Sequence, residues 1–327
     1  ALVAVVDSGL DLTHPDFRRA DGTTRVKYLW DQTCGQPGFP TCPPGSRPPV
    51  VMGQSRWGAE WTEADINAGR AVTTDEDGHG THVAGIAAGN GRAGGGQYLG
   101  VAPESDLLVV KFDFTSAGAL EAWDYVLDRA AALGRPVVIN NSFGNHFGPH
   151  DGTDDLEWYI DLMSRYRSGL AFVVSAGNSQ QDQLHAAGAV SQGQTVAVGL
   201  EFTSPVPFFA VDLWYRGSDR LSVTLVSPAG ARFGPFAWRS DGQISGPVTY
   251  GTLQALAYNG PASAAPGFDI FQPFANPDNH ALVEVFTADG QPTIGGQWTL
   301  EIVGVTVTGG SGRWDAWLPF NERINRF

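Results

Sequence analysis

The chain has 327 residues, 42% hydrophobic and 17% charged, which describes a folded globular protein long enough for two domains rather than a disordered one. Its net charge of −14, from 34 acidic and 20 basic residues, argues against an electrostatic grip on phosphate backbones or anionic membranes, so nucleic acid is not an expected partner. No apolar run approaches the roughly 20 residues of a membrane-spanning helix, and no membrane span is expected.

The first element is "LVAVV" (2–6), a continuous apolar run as expected for a parallel strand covered on both faces. Because residue 1 already sits inside a strand pattern, a segment upstream is expected to have been removed or omitted. Residues 31–76 carry several Gly and Pro with no sustained period and read as a long surface excursion. Within it "CGQPGFPTC" holds Cys34 and Cys42, which suit a local disulfide if the protein is exported and are otherwise free thiols. A two-cysteine metal site would need further ligands that the loop lacks.

Further on, "LLVVKF" (107–112), "PVVIN" (136–140) and "AFVVSA" (171–176) repeat the strand pattern. Between them Leu120, Trp123, Val126, Leu127, Ala130 and Leu133 recur at helical spacing and stop at Gly134, while Leu156, Tyr159, Ile160, Met163 and Tyr166 stop at Gly169. Alternating strands and helices predict a doubly wound α/β domain with a parallel sheet over residues 1–194. From 195 to 327 the helical period disappears, and runs such as "RLSVTLVSPAG" and "HALVEVFTADG" alternate and end in turn residues, predicting an all-β sandwich. Its aromatics Trp214, Tyr215, Trp238, Trp298, Trp314 and Trp317 read as sheet packing, with a carbohydrate- or protein-binding platform as the competing possibility.

Three residues carry the chemistry. Asp7 ends the first strand, where ligands and active sites of open α/β sheets gather. His79, in "DGHGTHVAG" (77–85), opens a helix of small residues, and Asn178 ends "VVSAGN" (173–178), just past a buried strand. An acid, an imidazole and an amide donor are what acyl transfer needs apart from a nucleophile. Each also has a plain structural reading: Asp7 as a turn or cap, His79 and His82 as metal ligands, Asn178 as a loop amide. His82 is expected to be a packed structural histidine.

In order along the chain, "VVDSGLDLTHPDF", "DGHGTHVAG", "GVAPESDLLVVK", "VINNSFG" and "VVSAGN" resemble the signature blocks of the subtilisin-like serine proteases across most of residues 1–180. The resemblance implies that Asp7 orients the imidazole, that His79 is the general base and later the acid, and that Asn178 is the side-chain donor of the oxyanion hole. It implies further that Ser142, Phe143 and Gly144 line the primary pocket and pair with extended substrate, with Ser175, Ala176 and Gly177 as the facing wall. "RVKYLWDQT", "WGAEWTEADIN" and the β-rich second half are similar to the Csp-type germination proteases, in which a jelly-roll domain is inserted between the oxyanion asparagine and the nucleophile block. A peptide or protein substrate, a pro-region, and a secreted or cell-envelope location in a bacterium are what this resemblance implies.

The family's "GTSMA" nucleophile block is absent. The look-alike "NGPASAAPG" (259–267) places Ala262, not Ser263, at the nucleophile position, and its surroundings are β-patterned where the family opens a long helix. The expectation is a fragment of a serine endopeptidase whose serine is encoded beyond Phe327, the alternative being a pseudoprotease acting as a peptide-binding or regulatory protein. By spacing from Asp7, Asp16 matches a calcium-binding aspartate of the family, so Ca²⁺ is the one cofactor considered. The facing loop "NGRAGGGQY" (90–98) is poor in oxygen side chains, and Asp16 as a helix-start residue is the other reading.

Overall fold

The structure is a computed structural model that describes residues 1–264 and 276–319 and the backbone of the short strand Asn325–Arg326. It divides into two units, residues 1–144 with 156–176, and residues 145–155 with 177–327.

In the first unit, six strands form one sheet in the order Ala59–Thr62, Val26–Asp31, Asp106–Lys111, Leu2–Asp7, Val137–Asn141, Leu170–Val174. Five of them are parallel, and Ala59–Thr62 adds an antiparallel edge. Side chains alternate between two layers, as the two-residue strand period requires. Leu2, Ala4, Val6, Leu108, Val110, Val137 and Ile139 pack on Trp123, Val126, Leu127 and Ala130 of the helix Ser116–Ala132. Val3, Val5, Leu107 and Val109 face the other way, onto Ala84 and Ala88 of the helix His79–Ala88 and onto Phe17. Helices on both faces explain why these strands read as unbroken apolar runs.

The stretch 31–76 differs from the surface excursion expected of it. Ala59 and Trp61 are buried in the edge strand, and Ile66 is buried in the short helix Glu63–Asn67, which Thr62 and Asp65 start with a capping box. The pattern was too short for a period to show. Cys34 and Cys42 form a disulfide, with Cα atoms 4.9 Å apart and Cys34 buried against the second layer.

Among the described residues the second unit holds two antiparallel sheets, one of five strands and one of six. Leu221, Val223 and Leu225 of one sheet share a core with Val211, Leu213, Val283 and Val285 of the other. Tyr215, Trp298 and Trp314 lie within that core, and Trp317 is also buried. Trp214 stacks on the buried His280, and the Arg220 guanidinium covers the Trp238 ring at 3.7 Å. The expected boundary after residue 194 moves to Gly177, because His185–Val190 pairs with Gly312–Trp317. Residues 145–155 join the same unit. A strand partner more than a hundred residues away leaves no local signal.

Candidate active site

Asp7 ends its strand 1% exposed, at the carboxyl edge of the sheet. One carboxylate oxygen, Oδ1, accepts the Ser8 amide N–H at 2.8 Å and meets His79 Nδ1 at 2.7 Å. An ionised carboxylate only accepts, so Nδ1 carries the imidazole proton and Nε2 keeps the lone pair of a base. The hydrogen bond to Asp7 raises the His79 pKa above the ordinary imidazole value; the negative charges of Asp7, Asp77 and Asp75 add to this, and partial burial opposes it. The ring is half exposed, so it is open to a reactant.

The placement of His79 is built locally. Gly78 precedes the helix with φ 84°, a left-handed turn that glycine takes without strain, and His79 is the first helical residue. The exposed amides of that first turn find acidic and hydroxyl acceptors. Asp75 accepts from Gly78 N–H, Thr81 N–H and Thr81 Oγ, Asp77 accepts from His79 N–H, and Ser8 Oγ accepts from Gly80 N–H. Ser8 in turn donates to Asp75 at 2.8 Å, which pins the helix start to the end of the Asp7 strand. Burial pushes the Asp75 carboxyl up, but the bonds from Thr81, Ser8 and Gly78 outweigh it and hold the pKa below the usual range. Close approach is enforced at Gly80, where an added Cβ would lie 2.3 Å from Gly9 O. Alongside, Lys111 donates to Thr74 O and pairs with Glu76, whose pKa is pushed down to about 2 by bonds from Lys111 and Thr74.

Sequence reasoning missed Asp75 and Ser8. The usual signal is weak here, because the N-cap is Gly78, which has no side chain to cap with, and Asp75 and Ser8 reach the first turn from outside it. His82 is exposed instead of packed, because it lies on the side of the helix turned away from the sheet-facing Ala84 and Ala88.

Ser142 and Phe143 are half-buried and Gly144 is exposed, just past the strand Val137–Asn141. Asn141, 1% exposed, braces this end: its Nδ2 donates to Ile139 O and Val173 O, and its Oδ1 accepts the Trp123 indole N–H at 2.7 Å. Phe143 packs on Phe112 with ring centres 4.5 Å apart. Ser175 N–H donates to Asn141 O, and Ser175 and Ala176 are exposed at the end of the neighbouring strand. Gly177 and Asn178 are exposed and belong to the second unit. Ser263 is exposed in the 3₁₀ turn Ala262–Ala264 of that unit, and residues 265–275 lie outside the described part.

Asp16 Oδ1 accepts the Ala93 amide N–H at 2.7 Å. Among the described residues no group of three or more His, Cys, Asp or Glu side chains is gathered for a metal ion. A hard cation takes six to eight oxygens, and Asp16 brings one carboxylate to this loop, with Oδ1 already accepting the Ala93 amide.

The subtilase family model matches residues 1–267. A subtilisin of Bacillus sp. (strain TA39) is 32% identical over 182 residues, 54% of this chain and 33% of its own length. Subtilisin DY of Bacillus licheniformis is 33% identical over 150 residues, 46% of this chain and 48% of that protein. The structure of the Clostridium perfringens CspB protease covers all of this chain and 63% of its own, with a TM-score of 0.72 at 24% identity, a likeness of fold. The chain thus spans less than two thirds of each of these proteins. It belongs to the subtilase family.

Proposed function

We propose that this chain carries the acid and the base of a subtilisin-type serine endopeptidase, with the nucleophilic serine encoded beyond Phe327. The observation that carries the reading is the Asp7–His79 pair, a buried carboxylate 2.7 Å from the Nδ1 of a half-exposed imidazole at the carboxyl edge of a parallel sheet. In this reading His79 Nε2 takes the proton of the serine hydroxyl as it attacks the scissile carbonyl and then returns it to the leaving amine. Asp7 holds the tautomer and stabilises the imidazolium. Asn178 donates to the oxyanion, Ser142, Phe143 and Gly144 pair with an extended substrate, and Ser175, Ala176 and Gly177 form the facing wall.

Ile139 and Phe172 point into the helix-covered layer, while on the opposite face Val138 is 36% and Val173 50% exposed, which supports a further packed segment over that end of the sheet. We further assign the second unit as an inserted jelly-roll, and the disulfide is consistent with export from the cytoplasm. Among the described residues no helix is long and apolar enough to cross a membrane.

The test is fluorophosphonate labelling followed by peptide mapping, on residues 1–327 and on the natural full-length protein. The expected result is no label on 1–327, with label at a downstream serine and peptide hydrolysis that His79→Ala abolishes in the full-length protein. Label at Ser263, or hydrolysis indifferent to His79→Ala, overturns the proposal.

A further inference from the structure

We infer that His146 is a positioning residue for Asn178, acting through Ser179. The inference rests on the reading of Asn178 as the oxyanion donor and adds the group that holds it in place. His146 Nε2 lies 3.2 Å from Ser179 Oγ, and both residues belong to the second unit. Ser179 is bonded directly to Asn178, so the position of the hydroxyl sets where the preceding amide sits. Two residues before His146 comes Gly144, the last residue of the proposed substrate edge. This hydrogen bond therefore links the chain leaving that edge to the chain carrying the donor.

The two partners of this bond are unequally anchored. Residues 145–155 are tied down in several places. Gly148 N–H donates to Asp212 Oδ2 at 2.8 Å, and Asp212 is fully buried, bonded also to His280 and Trp214. The His150 ring stacks on Trp317 with centres 4.2 Å apart and planes 11° from parallel, and its Nδ1 donates to Gly148 O. Asn276 Nδ2 donates to Thr153 Oγ1 at 2.7 Å. Residues 177–182, by contrast, are mostly exposed, pass through a left-handed Gly177 (φ 81°), and among the described residues close a turn from Asp182 N–H to Ser179 O. His146 is thus the fixed member and Ser179 the member that is held. An oxyanion donor acts by being in place before charge develops, so loosening this loop lowers the rate of the chemical step more than it weakens substrate binding.

The experiment compares His146→Ala, Ser179→Ala, the double variant and Asn178→Ala in the natural full-length protein. Each of the first two should lower kcat about tenfold with KM within about twofold, and the double variant should be no slower than either single one. His146→Gln, whose amide can still reach the hydroxyl, should recover most of the rate. Additive losses, a change confined to KM, or no rescue by glutamine overturns the inference. If Asn178→Ala leaves kcat unchanged, it is the oxyanion reading that fails. Should the full-length protein hydrolyse no peptide, ¹⁵N relaxation on residues 1–327 decides the tie by itself. His146→Ala should drop the backbone order parameters of Asn178 and Ser179 from ~0.85 to below ~0.6, and unchanged values overturn the inference.

Discussion

Two glycines of the helix His79–Ala88 should respond to alanine with opposite signs. At Gly80 the new Cβ would lie 2.3 Å from Gly9 O and 2.9 Å from Gly9 N, about 1 Å short of ordinary contact with the carbonyl. Both neighbours are backbone in the loop that follows Asp7, so neither can swing aside, and the helix start must lift. Overpacking of this kind costs ~1–3 kcal/mol, partly offset by the ~1 kcal/mol that alanine gains over glycine in a helix. A 2.3 Å clash with backbone belongs at the upper end of that range, and the resulting net loss of ~2 kcal/mol should lower Tm by ~4–8 °C for a unit of this size. At Gly85 nothing lies within 4 Å, so only the propensity gain remains and Tm should rise by ~2–4 °C. Because the lifted turn carries His79, Gly80→Ala should also bring the His79 pKa back toward the ordinary imidazole value, whereas Gly85→Ala should leave it alone. Calorimetry and a histidine NMR titration on residues 1–327 measure both effects. Equal signs at the two positions, or an unshifted His79 in Gly80→Ala, would refute the argument that close approach at Gly80 sets the Asp7–His79 distance.

The same titration should place the His79 pKa above 6.5, with Asp7→Asn lowering it. Since the folded-state pKa is raised, the stabilisation from this pair is fully present below the unfolded value and lost as pH rises through the folded one, so Asp7→Asn should destabilise most at acidic pH. In an active full-length protein the same substitution should cost ~10⁴ in kcat, because the neutral amide no longer selects the tautomer with Nε2 free. Reducing the Cys34–Cys42 bridge, which closes a loop with a sequence separation of 8, should cost ~2.5 kcal/mol, read as a lower urea midpoint; an unchanged midpoint would show that the loop is constrained without it. Trp123→Phe removes the indole donor from the buried Asn141 Oδ1 and should cost ~1–3 kcal/mol at constant m-value. A chelator should leave Tm within ~1 °C, since Asp16 is engaged by the Ala93 amide; a rise of several degrees on adding calcium would contradict that assignment.

How much of this was legible beforehand depended on the range of the interaction. Unbroken runs such as Leu2–Val6 announce strands buried on both faces, because each side chain meets a helix layer whichever way it points. Residue type and order likewise singled out Asp7, His79 and Asn178, because proton transfer and oxyanion stabilisation admit few side chains. Pairing across distance was decided only in three dimensions. His185–Val190 belongs with Gly312–Trp317, and Ala59–Thr62 becomes a sheet edge, through backbone hydrogen bonds that carry no residue-specific mark. The contacts that aim the chemistry are of the same kind. Ser8 with Asp75, Asp7 with His79 and His146 with Ser179 are each a bond between ordinary polar side chains, distant in the chain and brought within about 3 Å by the packing around them.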